Sequence, residues 1–150
     1  MARMKLLRKY LRLRAMDRRL LVKSALLLGA VRLGLWLLPF QTLWRFLTKM
    51  SCATTTWHDT DQTSIERVVW AVAVASRYIP AATCLTQALA TRVLLGRQGH
   101  SATLRIGVAR SEAGQFEAHA WVECQGRVVI GGTNAPLRFT PLPPLEGKSQ

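Results

Sequence analysis

The chain has 150 residues, a net charge of +13 and three cysteines. This length suffices to bury one core without disulfides or a structural metal, and three scattered cysteines give neither a secreted disulfide framework nor a zinc pattern. Residues 1–50 carry a net charge of +11, so the rest of the chain is almost neutral. The cysteine usage predicts a reducing cytoplasm. The charge predicts a basic arm on an ordinary domain, and such an arm suits anionic lipid, nucleic acid or an acidic partner.

The N-terminal third is predicted to be helical. Residues 1–23 interleave leucines with basic residues, which is typical of an amphipathic helix, and an apolar segment follows up to Pro39. Lys23 and Arg32 interrupt this segment, and the uncharged run between them is much shorter than the roughly 20 residues that cross a bilayer. We therefore expect an interfacial or partner-docked helix, and a boundary at the polar stretch 51–62 that separates residues 1–50 from residues 51–150.

A cysteine is predicted to begin the helix that runs from Thr83 towards Gly99. Thr83 suits an N-cap, and apolar residues recur after it at helical spacing. At a helix N-terminus the unpaired N–H groups and the positive end of the dipole favour a thiolate, which is the nucleophilic form. Cys84 is therefore a candidate nucleophile, and the alternative is a buried cysteine that acts as a small hydrophobe.

The C-terminal half is predicted to be an antiparallel meander. Alternating hydrophobicity marks strands near residues 102–109, 116–124 and 127–130, and the proline-rich tail from residue 133 is expected to be extended. His119 lies on the second strand. A cysteine on a helix N-terminus followed by a histidine on a strand is the order in which papain-like and transglutaminase-like enzymes present nucleophile and base. Helices followed by antiparallel strands predict an α+β fold.

The residue that orients the imidazole of His119 depends on strand register. A two-residue turn at Gln125-Gly126 would pair the following residues across the hairpin: Cys124 with Arg127, Trp121 with Ile130, and His119 with Gly132. The next side chain on that face is Asn134, which we select as the orienting residue. A slip of one residue would turn Asn134 to the other face and leave Glu123 or Glu117 instead.

Other residues are assigned supporting roles or excluded. The backbone N–H groups at Cys84 are the expected oxyanion donors, with Gln87 as a side-chain candidate and with Trp121 and Glu123 as supporting residues. His100 is excluded, because the intervening helix puts it roughly 20 Å from the cysteine, when a nucleophile and base need about 3 Å.

Two motifs, C-L-x-x-A-L-A from Cys84 and A-H-A-W-V-E from Ala118, are specific in combination. Together with RRLLVKSALLL and RFTPLPPLEG they make nearly the whole chain resemble one family. The chain is similar to the small cysteine peptidases of lasso-peptide biosynthesis, the stand-alone protease half of the split leader-peptidase system.

The resemblance implies a transglutaminase-like fold for residues 51–150, with a Cys-His-acid arrangement that includes Cys84 and His119. It implies removal of the leader from a ribosomally made precursor, which exposes the core N-terminus for a separate ATP-dependent lasso cyclase. A separate winged-helix-like protein that recognises the leader is the implied partner. Related sequences often carry an Asp on the strand after the histidine, where this chain has Gly131 and Gly132. No cofactor or metal is expected, and no phosphate-binding glycine pattern is present.

The N-terminal helices are then expected to dock on the recognition protein, the cyclase or the inner face of the membrane, and nucleic acid is not an expected partner. Two other functions compete with the peptidase. A transglutaminase-like acyltransferase would use Cys84 and His119 but pass the acyl group to an amine. A basic membrane or nucleic-acid adaptor would use Cys84 only as a core residue, and its binding would be abolished by salt.

Overall fold

Four helices precede a four-stranded antiparallel sheet in the computed structural model, which describes residues 14–51 and 62–143. The helices are α1 (Ala15–Leu37), α2 (Phe40–Ser51), α3 (Gln62–Ser76) and α4 (Cys84–Arg97). The strands are β1 (Ala102–Arg110), β2 (Phe116–Cys124), β3 (Arg127–Ile130) and β4 (Thr140–Pro141), and a short helix α5 (Ala135–Arg138) precedes β4. The sheet order is β3-β2-β1-β4, and the arrangement confirms the predicted α+β class.

One apolar core joins the helices to one face of the sheet. Its buried members come from all four long helices and from β1 and β2, and they include Leu28, Val31, Leu43, Leu47, Val68, Leu89, Leu104, Ala120 and Val122. The first two helices therefore pack in the same core as the rest of the described chain. The predicted boundary near residue 50 does not divide this core, and a separate binding role for residues 1–50 stays a prediction.

Helix α1 is continuous across two segments that the sequence analysis treated separately. It runs for 23 residues and ends just before Pro39, as predicted. Lys23 and Arg32 do not interrupt it, because both side chains are exposed while one stripe of the helix is buried. By length and composition alone, α1 could cross a membrane, which no other helix among the described residues could do. The part of the predicted amphipathic helix in residues 1–13 lies outside the described residues.

Polar contacts fix helix α4 within the helical layer. The guanidinium of Arg92 is buried and lies over the Trp44 ring, 4.5 Å from its centroid. At the far end of α4, Nε2 of His100 lies 2.6 Å from the Ser64 hydroxyl, which itself donates to Gln98. His100 therefore has a structural contact at the end of α4 opposite to Cys84.

The turn between β2 and β3 has the predicted two-residue form. Gln125 and Gly126 both have positive φ angles, 52° and 73°, which is the signature of a type I′ hairpin turn. Next to the turn, Cys124 pairs with Arg127 as predicted.

Further from the turn, the predicted register is wrong by one residue. Ile130 pairs with Val122, where the sequence analysis expected Trp121. The cause is a β-bulge, which places an extra residue in β3 so that the two strands fall out of step. The expected pairing of His119 with Gly132 assumed a regular hairpin without a bulge. That pairing is therefore not formed in the shifted register. The chain after β3 is consequently shifted relative to β2.

Candidate active site

Cys84 is the first residue of α4. The Thr83 backbone is extended, and its side chain accepts a hydrogen bond from the N–H of Thr86 at 3.4 Å, which confirms the predicted N-cap. The thiol is free and half-buried, and none of the described residues makes a hydrogen bond with Sγ. The first N–H groups of a helix have no partner within the helix, so Cys84 is at the end of α4 whose N–H groups can stabilise negative charge.

Gln87 lies one turn after Cys84, on the same side of the helix. Its amide nitrogen donates to the carbonyl of Ala82 at 3.4 Å, which holds the side chain against the segment leading into the cysteine. An amide carries two N–H donors, so the second is not used in this contact. The position suits the predicted contribution to an oxyanion site, which stays a prediction.

Three contacts hold the imidazole of His119. Its Nε2 lies 2.5 Å from the carbonyl oxygen of Gly131. The Phe139 ring stacks on it with centroids 5.0 Å apart, and Trp121 lies on the same side of the sheet at 6.5 Å. A carbonyl oxygen can only accept, so this contact needs the proton on Nε2. Nδ1 then carries the lone pair and is the nitrogen that can act as a base.

Trp121 and Glu123 support this face of the sheet. Trp121 is fully buried, and its indole N–H donates to one carboxylate oxygen of Glu123 at 3.0 Å. Nε of Arg105, on β1, donates to the other carboxylate oxygen at 3.3 Å. The carboxylate therefore holds the indole in place. A supporting role for both residues in catalysis stays a prediction.

The side chains proposed to orient His119 lie elsewhere. Asn134 is exposed at the start of α5, and the carboxylate of Glu117 accepts from Arg138 at 2.7 Å. In the part of the chain that the structure describes, neither they nor Glu123 make a hydrogen bond with the imidazole. For Asn134 the physical reason is the bulge in β3, which shifts the chain that follows it. Glu117 and Glu123 lie on β2, where their carboxylates are engaged by Arg138 and by Trp121 and Arg105 respectively. A direct chemical role for Asn134 stays a prediction.

The topology relates the start of α4, which carries Cys84, to the strand that carries His119. Helix α4 packs against the face of β2 that carries Ala120 and Val122, and β1 returns along α4 after a short connection. The N-terminus of α4 is therefore close to the end of the sheet where β2 begins. Strand alternation turns His119 to the other face, and no hydrogen bond joins it to Sγ among the described residues. Catalytic contacts are often loose before substrate binds, and this pairing stays a prediction.

The sequence analysis missed Gly107 and Phe139. Gly107 pairs with His119 across β1 and β2, and a Cβ there would lie 2.8 Å from the Trp121 ring and 2.9 Å from Cβ of Phe139. The absent side chain therefore leaves space for the two aromatic rings. A glycine within an alternating strand was the available signal, because such glycines often mark a close approach. Phe139 lies in the tail that was predicted to be extended, where α5 and β4 instead fold back on the sheet.

Cys124 differs from Cys84 in its surroundings. It is 2% exposed within the core, and burial raises the pKa of its thiol. A raised pKa disfavours the thiolate, which is the reactive form. Of the two cysteines that the structure describes, Cys84 is the better placed to react.

These observations define an α+β protein with a cysteine at a helix N-terminus and a histidine on an antiparallel strand. The model of the transglutaminase-like superfamily matches residues 25–143, well over half of the chain, and the chain belongs to this superfamily. The superfamily is commonly associated with cysteine-protease-like enzymes. Comparison with the curated proteins and with the solved structures finds no significant match. The matched range begins within α1 and ends after β4, so it includes the N-terminal helices as well as the sheet.

Proposed function

We propose that this protein is a cysteine peptidase that removes the leader from a lasso-peptide precursor and exposes the core N-terminus for a separate cyclase. Membership of the transglutaminase-like superfamily supports a cysteine-based acyl chemistry. The observation that carries the proposal is the free, half-buried thiol of Cys84 at the capped start of α4. The two sequence motifs around Cys84 and His119 support the choice of substrate, and the partners proposed with it are the precursor, the leader-recognition protein and the cyclase.

In this mechanism the Cys84 thiolate attacks the carbonyl carbon of the scissile peptide bond. The backbone N–H groups of the first turn of α4, with Gln87, stabilise the oxyanion. His119, protonated at Nδ1, gives this proton to the leaving nitrogen as the C–N bond breaks, which frees the core amine and leaves the leader as a thioester. Nδ1 then takes a proton from water, which attacks the thioester and releases the leader carboxylate.

Product masses test this proposal directly. We expect a precursor incubated with the protein and the recognition protein to give a leader with a free carboxylate and a core with a free amine. Adding a small primary amine separates hydrolysis from acyl transfer, because transfer yields a leader that carries the amine. An intact precursor in every reaction, with the recognition protein bound and binding lost in salt, would favour the adaptor function and contradict the proposal.

The exposed side of α1 supports a second proposal, that the protein binds an anionic membrane surface from the cytoplasm. The apolar face of α1 consists of side chains that are 45–78% exposed and lie on one side of the helix: Val22, Leu26, Leu33, Trp36 and Leu37. Three exposed basic residues, Arg19, Lys23 and Arg32, lie beside or between them. Apolar and basic residues combined in this way are typical of a helix that lies in an anionic interface.

Vesicle sedimentation tests the membrane proposal. We expect the protein to sediment with vesicles that contain phosphatidylglycerol and to bind phosphatidylcholine vesicles weakly. The double variant Leu26→Gln and Leu33→Gln should weaken binding at least about tenfold, because two leucines no longer bury apolar area. Leu137→Gln is the matched control, since Leu137 is 88% exposed on α5, away from α1, and should bind as the wild type does. Equal sedimentation of all three proteins, or capture of the recognition protein by this face without vesicle binding, would contradict the proposal.

A further inference from the structure

We propose that the backbone carbonyl of Gly131 orients the imidazole of His119 and sets its tautomer, which makes Gly131 a positioning residue. The inference rests on the proposed role of His119 as the base. Nε2 lies 2.5 Å from the Gly131 oxygen, and this contact is made only with a proton on Nε2. In the neutral ring, Nδ1 is then held in the lone-pair form that accepts a proton.

The local backbone explains why a main-chain group occupies this position. The bulge in β3 shifts the chain, and Gly131 follows with a φ of +101°, a conformation that glycine adopts readily and other residues do not. A Cβ at Gly131 would lie 2.5 Å from Cβ of Trp121 and 2.8 Å from the oxygen of Ala120. No aspartate or other side chain fits here unless β2 moves. The glycine therefore permits the close approach that presents its own carbonyl to the ring.

The remaining freedom of the ring is restricted by its neighbours. Phe139 stacks on the imidazole at an interplanar angle of 27°, which fixes the plane of the ring. The hydrogen bond to the Gly131 oxygen then fixes the rotation of the ring within this plane. The acceptor is neutral, so it selects orientation and tautomer without adding a negative charge beside the imidazolium.

Nitrogen NMR of the labelled protein tests the inference without requiring cleavage. The spectrum is recorded where the histidines are neutral, and His119→Gln identifies the signals of this ring. We expect a single tautomer with a protonated Nε2 and a bare Nδ1. A proton on Nδ1, or a mixture of the two tautomers, would overturn the inference. Because the result does not depend on activity, failure of the peptidase proposal would be seen separately in the product masses.

Variants test whether the carbonyl acts through the ring. Gly131→Ala should give a mixture of the two His119 tautomers. It should also lower kcat roughly 10- to 100-fold and change KM little. The size of this effect is the one usually seen when a group that orients a metal-bound histidine is removed. Phe139→Leu removes the stacking ring but keeps the acceptor, so it should retain the Nε2–H tautomer. A folded Gly131→Ala protein with the wild-type tautomer would contradict the inference. If this variant does not fold, the wild-type spectrum decides the question.

Discussion

Replacing Cys84 with alanine is expected to abolish precursor cleavage and to leave the protein folded. The substitution removes the nucleophile, and loss of a nucleophile of this kind costs at least about 10⁴-fold in rate. Stability should change little, because Sγ is half-buried and makes no hydrogen bond with the described residues. Alanine also suits the first turn of a helix. Single-turnover product masses measure the rate, and thermal unfolding checks the fold.

Two further variants control this prediction. Cys124→Ala removes a buried thiol whose pKa is raised by burial, and it should keep cleavage near the wild-type rate. His119→Gln should lower the rate about 10²- to 10⁴-fold, which is the usual contribution of a general acid or base. Cleavage by Cys84→Ala at the wild-type rate would remove this residue from the mechanism. Loss of cleavage in the folded Cys124→Ala variant, with activity kept in Cys84→Ala, would mean that Cys124 is the nucleophile.

Replacing Trp121 with alanine is expected to lower the free energy of unfolding by about 3–5 kcal/mol, the usual cost of truncating a buried aromatic residue. The indole is fully buried on the face of the sheet that carries His119. The backbones of Gly107 and Gly131 pack against this side chain, next to Phe139 and His119, and a glycine has no side chain that could fill the space it leaves. The carboxylate of Glu123 would also lose the N–H donor that it now accepts from. Urea unfolding measures the change.

Trp36→Ala is the matched control for this stability prediction. Trp36 is 78% exposed on α1, so its truncation should change the free energy of unfolding by less than about 0.5 kcal/mol. The loss of stability in Trp121→Phe should fall between those of the two alanine variants, because phenylalanine keeps one aromatic ring and loses the second ring with its N–H bond to Glu123. Equal effects of the Trp121 and Trp36 alanine variants would contradict the packing described for the sheet.

Features that depend on nearby residues could be predicted from the sequence. The N-cap at Thr83 and the position of Cys84 in the first turn follow from a few consecutive residues, and the structure confirms the cap. The hairpin turn at Gln125-Gly126 is equally local, because the glycine readily adopts the positive φ that the turn requires at its second position. These are the features that place the candidate nucleophile and the strand that carries His119.

The contact of the imidazole could not be predicted in the same way. It depends on the bulge between the Val122–Ile130 pair and the Glu123–Val128 pair, and a bulge is a property of two paired strands. The sequence analysis searched for a side chain that could orient His119. Gly131 and Gly132 therefore indicated only that these two positions provide no such side chain. The structure instead uses the carbonyl that a glycine can bring close.

The arrangement of the N-terminal helices also could not be predicted from local sequence patterns. Lys23 and Arg32 suggested interruptions in an apolar segment, but charged residues are compatible with a continuous helix when they face solvent. Which side of α1 is buried depends on how α3 and α4 pack against it. The shared core with residues after 62 therefore became visible only in the structure.

The most direct test of the central claim uses a leader peptide in which a vinyl sulfone replaces the scissile amide. The catalytic sulfur adds to the vinyl carbon, and peptide mapping by mass spectrometry locates the bond. We predict one adduct, on Cys84, that forms much more slowly in the His119→Gln variant, while Cys124 stays unmodified. An adduct on another residue, or an equal rate in the His119→Gln variant, would contradict the pairing of Cys84 with His119.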